Sequence, residues 1–220
     1  MTDQKSPPRP WSALRSLAVG LGLAGLIFLL ETLPLLPGPA LLSWPAQAVI
    51  FGATLFVFFL FAGLALPYFL PFLLFSQERR AWAARQSVLC IALVAGVLAG
   101  FLGSMPIRRA RFAAATVRAM PLIEAVEAQR KATGSPPDEL ESLVPSRLSE
   151  LPSTGMLAYP RFSYRTSGGD DPFKTYELAI HCPSGGINFD RFVYWPEKGY
   201  PNHMYGGWVE RIGDWAYVHE

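Results

Sequence analysis

Three long stretches of the chain contain no charged residue and are rich in Leu, Ala, Val and Phe. They cover residues 16–30, 32–77 and 86–107. A helix needs about 20 apolar residues to cross the roughly 30 Å hydrocarbon core of a bilayer. The pattern therefore predicts a membrane protein with three transmembrane helices, over residues 16–36, 46–75 and 86–105.

The flanks of these helices carry further signals. Residues 1–15 form a polar, Pro-rich tail, and the absence of a small-x-small cleavage site favours an uncleaved first helix over a signal peptide. Several prolines and Trp44 between the first two helices predict an apolar loop at the membrane interface. The second predicted helix, residues 46–75, has 30 residues, which is too long for one straight crossing and too short for two. Pro67 and Pro71 near its end therefore indicate one tilted or kinked helix.

Basic residues predict the orientation. They occur in the tail and in the loop between the second and third helices, whereas the loop between the first two helices has none. The positive-inside rule then places the N-terminus in the cytoplasm and the C-terminal half in the periplasm of a bacterial inner membrane. The arginines that directly follow the third helix argue in the opposite direction, although long exported domains follow the rule less strictly.

The pattern becomes helical and amphipathic after Arg108. Apolar positions recur at spacings of three and four and predict one buried face, made of Phe112, Thr116, Met120, Ile123 and Val126. Pro121 predicts a kink in this helix, and Gly134 predicts its end. Asp138-x-x-Glu141 then predicts a capping box that opens a short second helix, with Leu140, Leu143 and Val144 buried.

The last 70 residues show the alternation that is typical of strands. Apolar and aromatic residues recur at period two between turns rich in Gly, in segments 161–165, 175–181, 189–195, 205–211 and 214–219, the last two forming a hairpin around Gly213. Short turns between strands indicate an antiparallel sheet, and the preceding helix can cover one of its faces. We therefore expect residues 106–220 to form a soluble α+β domain.

One segment resembles the globular part of type IV pilins and of the major pseudopilins of type II secretion. The shared pattern is a hydrophobic–Glu helix end followed by a Gly, a Pro, an L-x-x-L-x-P turn and a Leu-Pro pair. The matching positions are Leu122, Ile123, Glu124, Gly134, Pro136, Leu140, Leu143, Pro145, Leu151 and Pro152. The turn Asp171-Pro172-Phe173 followed by Tyr176 extends the resemblance. It implies a long helix packed on an antiparallel sheet, but three membrane segments and the lack of a prepilin-peptidase site depart from the pilin pattern.

Composition narrows the chemistry. Hydrophobic residues make up 51% of the chain and charged residues 16%, and the net charge of +2 without a basic stripe does not indicate nucleic-acid binding. Cys90 and Cys182 lie in different halves, so we expect no disulfide between them. Zinc sites usually show paired ligand spacings. The candidate ligands His181, Cys182, His203 and His219 lack such spacings, and a Cys182 nucleophile lacks a surrounding motif, so we expect no metal, no cofactor and no catalytic residue.

Calcium is a further alternative, because pseudopilins resembling this segment include calcium-binding members. The carboxylates Asp170, Asp171, Asp190 and Asp214 are scattered over turns without an EF-hand-like spacing. Their positions favour solvated turn residues.

Two groups of residues are candidates for contacts with partners. Aromatic and polar residues in a loop rich in Pro and Gly suit an exposed surface for a protein or a glycan, made of Trp195, Tyr200, His203, Tyr205 and Trp208. The basic cluster Arg108, Arg109 and Arg111 follows the third helix and suits an interfacial anchor. Together with Glu31 it could instead meet a lipid head group.

The favoured hypothesis is a non-enzymatic inner-membrane protein whose exported domain binds another envelope component, and this domain should bind when residues 107–220 are expressed alone. The alternatives are a component of a secretion or pilus-assembly system and a membrane enzyme acting on lipid head groups. Gly96-x-x-x-Gly100 fits either a homo-oligomer contact or packing against the first helix.

Overall fold

A computed structural model describes residues 13–74, 77–166, 175–183, 188–204 and 207–219. Three α-helices come first: α1 (Ala13–Thr32), α2 (Ser43–Leu74) and α3 (Gln77–Thr133). Short 3₁₀ helices lie at Leu33–Leu35, Ala40–Leu42 and Leu140–Leu143. The strands are β1 (Ser163–Thr166), β2 (Tyr176–His181), β3 (Arg191–Tyr194), β4 (His203–Met204), β5 (Gly207–Ile212) and β6 (Trp215–Val218).

In the described part of the chain, three helical stretches are long and apolar enough to cross a membrane: Leu14–Leu35, Ala40–Gly63 and Leu89–Thr133. The prediction is confirmed as far as the number, length and apolar composition of these helices are concerned. The segment with Arg79, Arg80 and Arg85, which the charge pattern predicts as a loop, instead forms the first turns of α3. Ala, Glu, Gln and Arg are good helix formers, so the helix can begin within the polar segment.

The chain divides into two compact units. The first contains residues up to Leu29 and the segment Thr54–Ser104. Within it, α1 and α3 approach so closely that a Cβ atom on Gly96 would collide with the carbonyl of Gly20. A Cβ atom on Gly100 would lie 2.5 Å from the carbonyl oxygen of Ala24. The Gly96-x-x-x-Gly100 pattern therefore packs against α1 of the same chain.

The second unit contains Leu30–Ala53 together with Met105–Glu220. Its sheet has the strand order β1-β2-β3-β6-β5-β4, and each pair of neighbours is antiparallel. Gly213 has a φ of +61°, which suits the tight turn between β5 and β6. The predicted α+β unit with an antiparallel sheet is thus present.

The face of α3 that covers the sheet differs from the predicted one. Its buried side chains belong to Phe112, Ala115, Ala119, Leu122 and Val126. Thr116 is only half-buried, and Met120 is 53% exposed, so the prediction for these two residues is wrong. Alanines at the centre of the buried face let the helix backbone approach the sheet closely, and a pattern of large apolar residues misses them.

The core between α3 and the sheet is aromatic. Phe112 lies 5.0 Å from Phe192 and 5.2 Å from Tyr217, measured between ring centroids. Phe192 also stacks on Trp215 at 5.0 Å. Such pairs stabilise the core by about 0.5–1.5 kcal/mol each beyond their buried area.

The end of α3 agrees with its predicted signal, but the next helix start does not. Gly134 has a φ of +83°, and its N–H donates to the carbonyl of Arg130 at 2.8 Å. The helix continues through Pro121. The N-cap of the following 3₁₀ helix is Glu139, without a side-chain hydrogen bond, so the capping box predicted at Asp138 is wrong.

The loop between α1 and α2 enters the core of the second unit. Leu35 is 1% exposed, and Ile50 at the start of α2 is also buried there. The N–H groups of Leu157 and Ala158 donate to loop carbonyls at 2.9 and 2.8 Å. Trp44 remains exposed, as a residue at a membrane interface would be. The loop is therefore a structural part of the unit that contains the sheet.

Candidate functional site

The structure does not bring the predicted aromatic surface together. Trp195 is buried, its indole N–H donates to Glu177 at 3.0 Å, and its ring stacks on Tyr200 at 4.8 Å. The Tyr200 hydroxyl accepts from the Trp195 N–H at 2.8 Å and lies 2.9 Å from the carbonyl oxygen of Asp214. Trp195 and Tyr200 thus hold their loop against the outer face of the sheet and are not free to contact a partner.

Other members of that surface are accessible. Trp208 is 59% exposed, and its ring stacks on His219 with 4.2 Å between centroids. His203 is exposed in β4, whereas Tyr205 lies outside the described residues. A partner surface at Trp208 and His203 stays a prediction.

The basic cluster is built mostly into the protein. The Arg108 guanidinium donates to the carbonyl of Cys182 at 3.1 Å and to the Tyr217 hydroxyl. Arg111 donates to the carbonyl of Leu35 at 2.8 Å. Arg109 is exposed and pairs with Glu210 at 3.4 Å. Two of the three guanidinium groups therefore bind the part of α3 after Met105 to the rest of the second unit.

Arg108 belongs to a buried polar group that sequence reasoning missed. The Tyr217 hydroxyl donates to Asp190 Oδ2 at 3.0 Å, and Asp190 is buried. The interpretation of Asp190 as a solvated turn residue is therefore wrong, because β3 begins directly after it and draws it inside. Burial raises the pKa of the Cys182 thiol to about 12, so this group stays protonated and unreactive at neutral pH.

The candidate metal ligands that the structure describes are not clustered. In the parts of the chain that the structure covers, no group of three or more His, Cys, Asp or Glu side chains could hold a metal ion. Asp214 is exposed and pairs with Lys198 at 2.8 Å. Asp170 and Asp171 lie outside the described residues.

A groove of about 300 Å³ lies between α3 and the sheet, within the second unit. Its lining residues come from one side of the helix, from β3, from the β5–β6 turn and from the first residue of β6: Thr116, Met120, Ile123, Glu124, Tyr194, Asp214 and Trp215. Volumes of 300 Å³ are at the lower end for sites that hold small ligands. One feature of the sequence indicates this groove. Ala115 and Ala119 form the centre of the buried face of α3, so Thr116 and Met120, which follow them, are left partly uncovered.

Two carboxylates lie at the groove. Glu124 and Asp214 line it from the helix and from the turn. Burial raises the pKa of the Tyr194 phenol, and the charges of Glu127, Asp214 and Glu197 raise it further. The charge of Arg130 opposes part of this shift.

No family model, no curated protein and no solved structure matches this chain. The class of protein that the geometry defines is an α+β unit joined to helices able to cross a membrane.

Proposed function

We propose that the chain is a multi-pass protein of the bacterial inner membrane whose C-terminal unit binds another protein of the cell envelope without catalysing a reaction. The observation that carries this proposal is the groove, where Met120 is half-exposed beside the rings of Tyr194 and Trp215. Apolar groups in a concave site with a few polar groups at its edge are typical of binding surfaces.

The architecture supports a periplasmic position for this unit. The α1–α2 loop and the sheet belong to one compact unit, so both must lie on the same side of a membrane. Three crossings are compatible with that arrangement, and the basic residues of the tail favour an N-terminus on the opposite, cytoplasmic side.

An enzyme acting on lipid head groups is less well supported. Such a site would need free cationic donors near Glu31, but Arg108 and Arg111 donate to groups of the protein itself. A role in secretion or pilus assembly rests on the resemblance to pilins, and the long helix on an antiparallel sheet is compatible with it.

In vivo photocrosslinking tests the proposed binding. p-Benzoylphenylalanine would replace Met120, Trp208 or Phe189 in the full chain, since all three side chains are exposed. We expect ultraviolet light to produce a covalent adduct with an envelope protein from at least one position, and none from the exposed control position Glu150. Absence of protein adducts from every position would contradict a binding function.

Alkaline phosphatase fused after Glu220 tests the orientation. We expect an active phosphatase, because the enzyme folds only outside the cytoplasm. A fluorescent protein that requires the cytoplasm, fused at the same residue, should stay dark. The reverse pattern would contradict the periplasmic assignment.

A further inference from the structure

The helix wall of the groove presents the apolar side chain of Met120 to a ligand. Met120 projects from α3 with half of its surface exposed, and the neighbouring Val117 is 64% exposed on the same helix. The floor is formed by Tyr194 and Trp215, which are themselves nearly covered. An apolar side chain placed here would contact thioether and aromatic carbon atoms together, which favours binding without a specific hydrogen bond.

The charges around this apolar surface are unbalanced. Two carboxylates line it, Glu124 and Asp214. Two more, Glu127 and Glu197, act on the Tyr194 phenol at its floor. Three cations offset them in part. Lys198 pairs with Asp214 and Arg130 pairs with Glu127 at 2.7 Å. Arg211 donates to the carbonyl of Gly213, next to Asp214. Glu124 makes no ion pair with any described residue. Glu124 therefore leaves an excess negative charge at the groove, which favours a cationic group there over an anionic one.

A lipid surface is a poor occupant for this site. Met120 follows the predicted end of the third crossing at Met105 by fifteen helical residues, which places it about 22 Å farther along the helix axis. The head-group layer extends only about 5–8 Å beyond the hydrocarbon. In addition, anionic lipids would meet like charge at the groove.

We propose that the groove binds a segment of a partner protein that presents an aliphatic side chain flanked by Lys or Arg residues. The aliphatic group lies against Met120 and Trp215, and the cations lie beside Glu124 and Asp214. This inference rests on the proposed binding function and identifies the chemistry of the partner at that site.

The test uses the full chain with p-benzoylphenylalanine in place of Met120, and mass spectrometry identifies the residues of the partner that carry the adduct. We expect the crosslinked segment to contain an aliphatic residue with at least two Lys or Arg residues within four positions. A segment without that cationic pattern, an adduct with lipid, or an adduct with a second copy of this chain would overturn the proposal.

Charge reversal supplies the matched comparison. Glu124→Lys combined with Asp214→Lys should lower the adduct yield about tenfold, because two attractive contacts become repulsive. The control, Glu141→Lys combined with Glu150→Lys, changes the net charge equally at exposed positions away from the groove and should leave the yield unchanged. Equal yields from both variants would overturn the proposal.

Two further measurements separate failure of the groove proposal from failure of the proposed binding function. Glu124→Gln removes one charge without reversing it and should lower the adduct yield about threefold, while the protease resistance of the chain stays unchanged. An unchanged yield would overturn the inference. Adducts from Trp208 without adducts from Met120 would refute the groove while the proposed binding function stands. Absence of adducts from all positions would refute both.

Discussion

At the scale of single residues, Arg108 connects α3 to the sheet. Its guanidinium reaches the carbonyl of Cys182 and the hydroxyl of Tyr217, and it lies 5.2 Å from the centre of the Phe112 ring. Tyr217 in turn donates to the buried Asp190. Through Tyr217, the guanidinium therefore belongs to the same buried polar network as the Asp190 carboxylate.

Removing this charge should destabilise the second unit. We expect Arg108→Ala to lower the free energy of unfolding by about 2–4 kcal/mol, because two buried acceptors lose their donor. The control is Arg109→Ala, whose exposed ion pair with Glu210 contributes about 0–1 kcal/mol. Urea titration of the detergent-solubilised chain, followed by near-ultraviolet circular dichroism, measures both. Equal midpoints for the two variants would contradict this role.

The histidines make the free energy of unfolding depend on pH. Burial lowers the pKa of His219, with Arg108 also lowering it and the carboxylates of Asp190 and Glu210 opposing the shift. The folded state therefore binds a proton less readily than the unfolded state, whose His titrates near about 6.5. Stability should fall as the pH decreases from 7 to 5.5.

Substitution assigns that dependence. In His219→Asn the loss of stability between pH 7 and 5.5 should be smaller, as measured by urea midpoints at each pH. His181, whose pKa burial also lowers, should account for part of the remaining slope. If His219→Asn leaves the slope unchanged, the assignment is wrong.

At the scale of elements, the α1–α2 loop contributes both to the core and to the surface. Leu35 is buried against the sheet-containing unit, whereas Leu41, six residues later, is 87% exposed. Leu35→Ala should lower the free energy of unfolding by about 2–5 kcal/mol, and Leu41→Ala should change it by less than about 0.5 kcal/mol. Denaturant midpoints of the full chain measure the difference, and similar midpoints would show that the loop is not part of the core.

The contact between α1 and α3 permits a similar comparison. A side chain on Gly96 would collide with the Gly20 backbone, whereas nothing lies within 4 Å of a Cβ atom on Gly22. Gly96→Val should therefore lower the temperature at which the solubilised protein aggregates by several degrees, and Gly22→Val should leave it nearly unchanged. Size-exclusion chromatography after heating gives both values. Equal sensitivity would mean that the helices tolerate separation.

The sequence predicts elements better than it predicts their contacts. The strand predicted over residues 175–181 is observed at Tyr176–His181, and Gly134 ends α3 as expected, because period-two alternation and a terminal glycine are local signals. The buried loop was not predicted, since Gln47 and the carbonyl of Ala158, which are 111 positions apart, meet at 2.7 Å. The groove was missed for the same reason, because its walls come from segments distant in the sequence.

At the scale of the whole molecule, the sheet-containing unit is discontinuous in sequence. A fragment of residues 105–220 lacks Leu35, Ala46 and Ile50, which are buried in its core in the full chain. Such a fragment should therefore expose apolar surface and unfold at lower urea than the same unit in the full chain.

Restoring the missing segment tests this expectation. Residues 33–50 joined through a flexible Gly/Ser linker to residues 105–220 should raise the urea midpoint and slow amide hydrogen exchange in β2 and β3. A Leu35→Asp version of the same fusion is the matched control and should give no gain. If the shorter fragment is already as stable as the fusion, the loop is dispensable for folding.

The discontinuity also sets an order of events during synthesis. Leu35 and Ile50 leave the ribosome before any strand of the sheet exists, and at about 5–20 residues per second the interval before β6 emerges is roughly 10–30 s. Until β6 has emerged, the apolar residues of the α1–α2 loop and of the start of α2 lack the sheet that covers them in the complete fold. In the proposed three-crossing arrangement, the core can close only if the α1–α2 loop and the end of α3 reach the same side of the membrane. A chain with one helix misplaced would then remain exposed to proteases and chaperones.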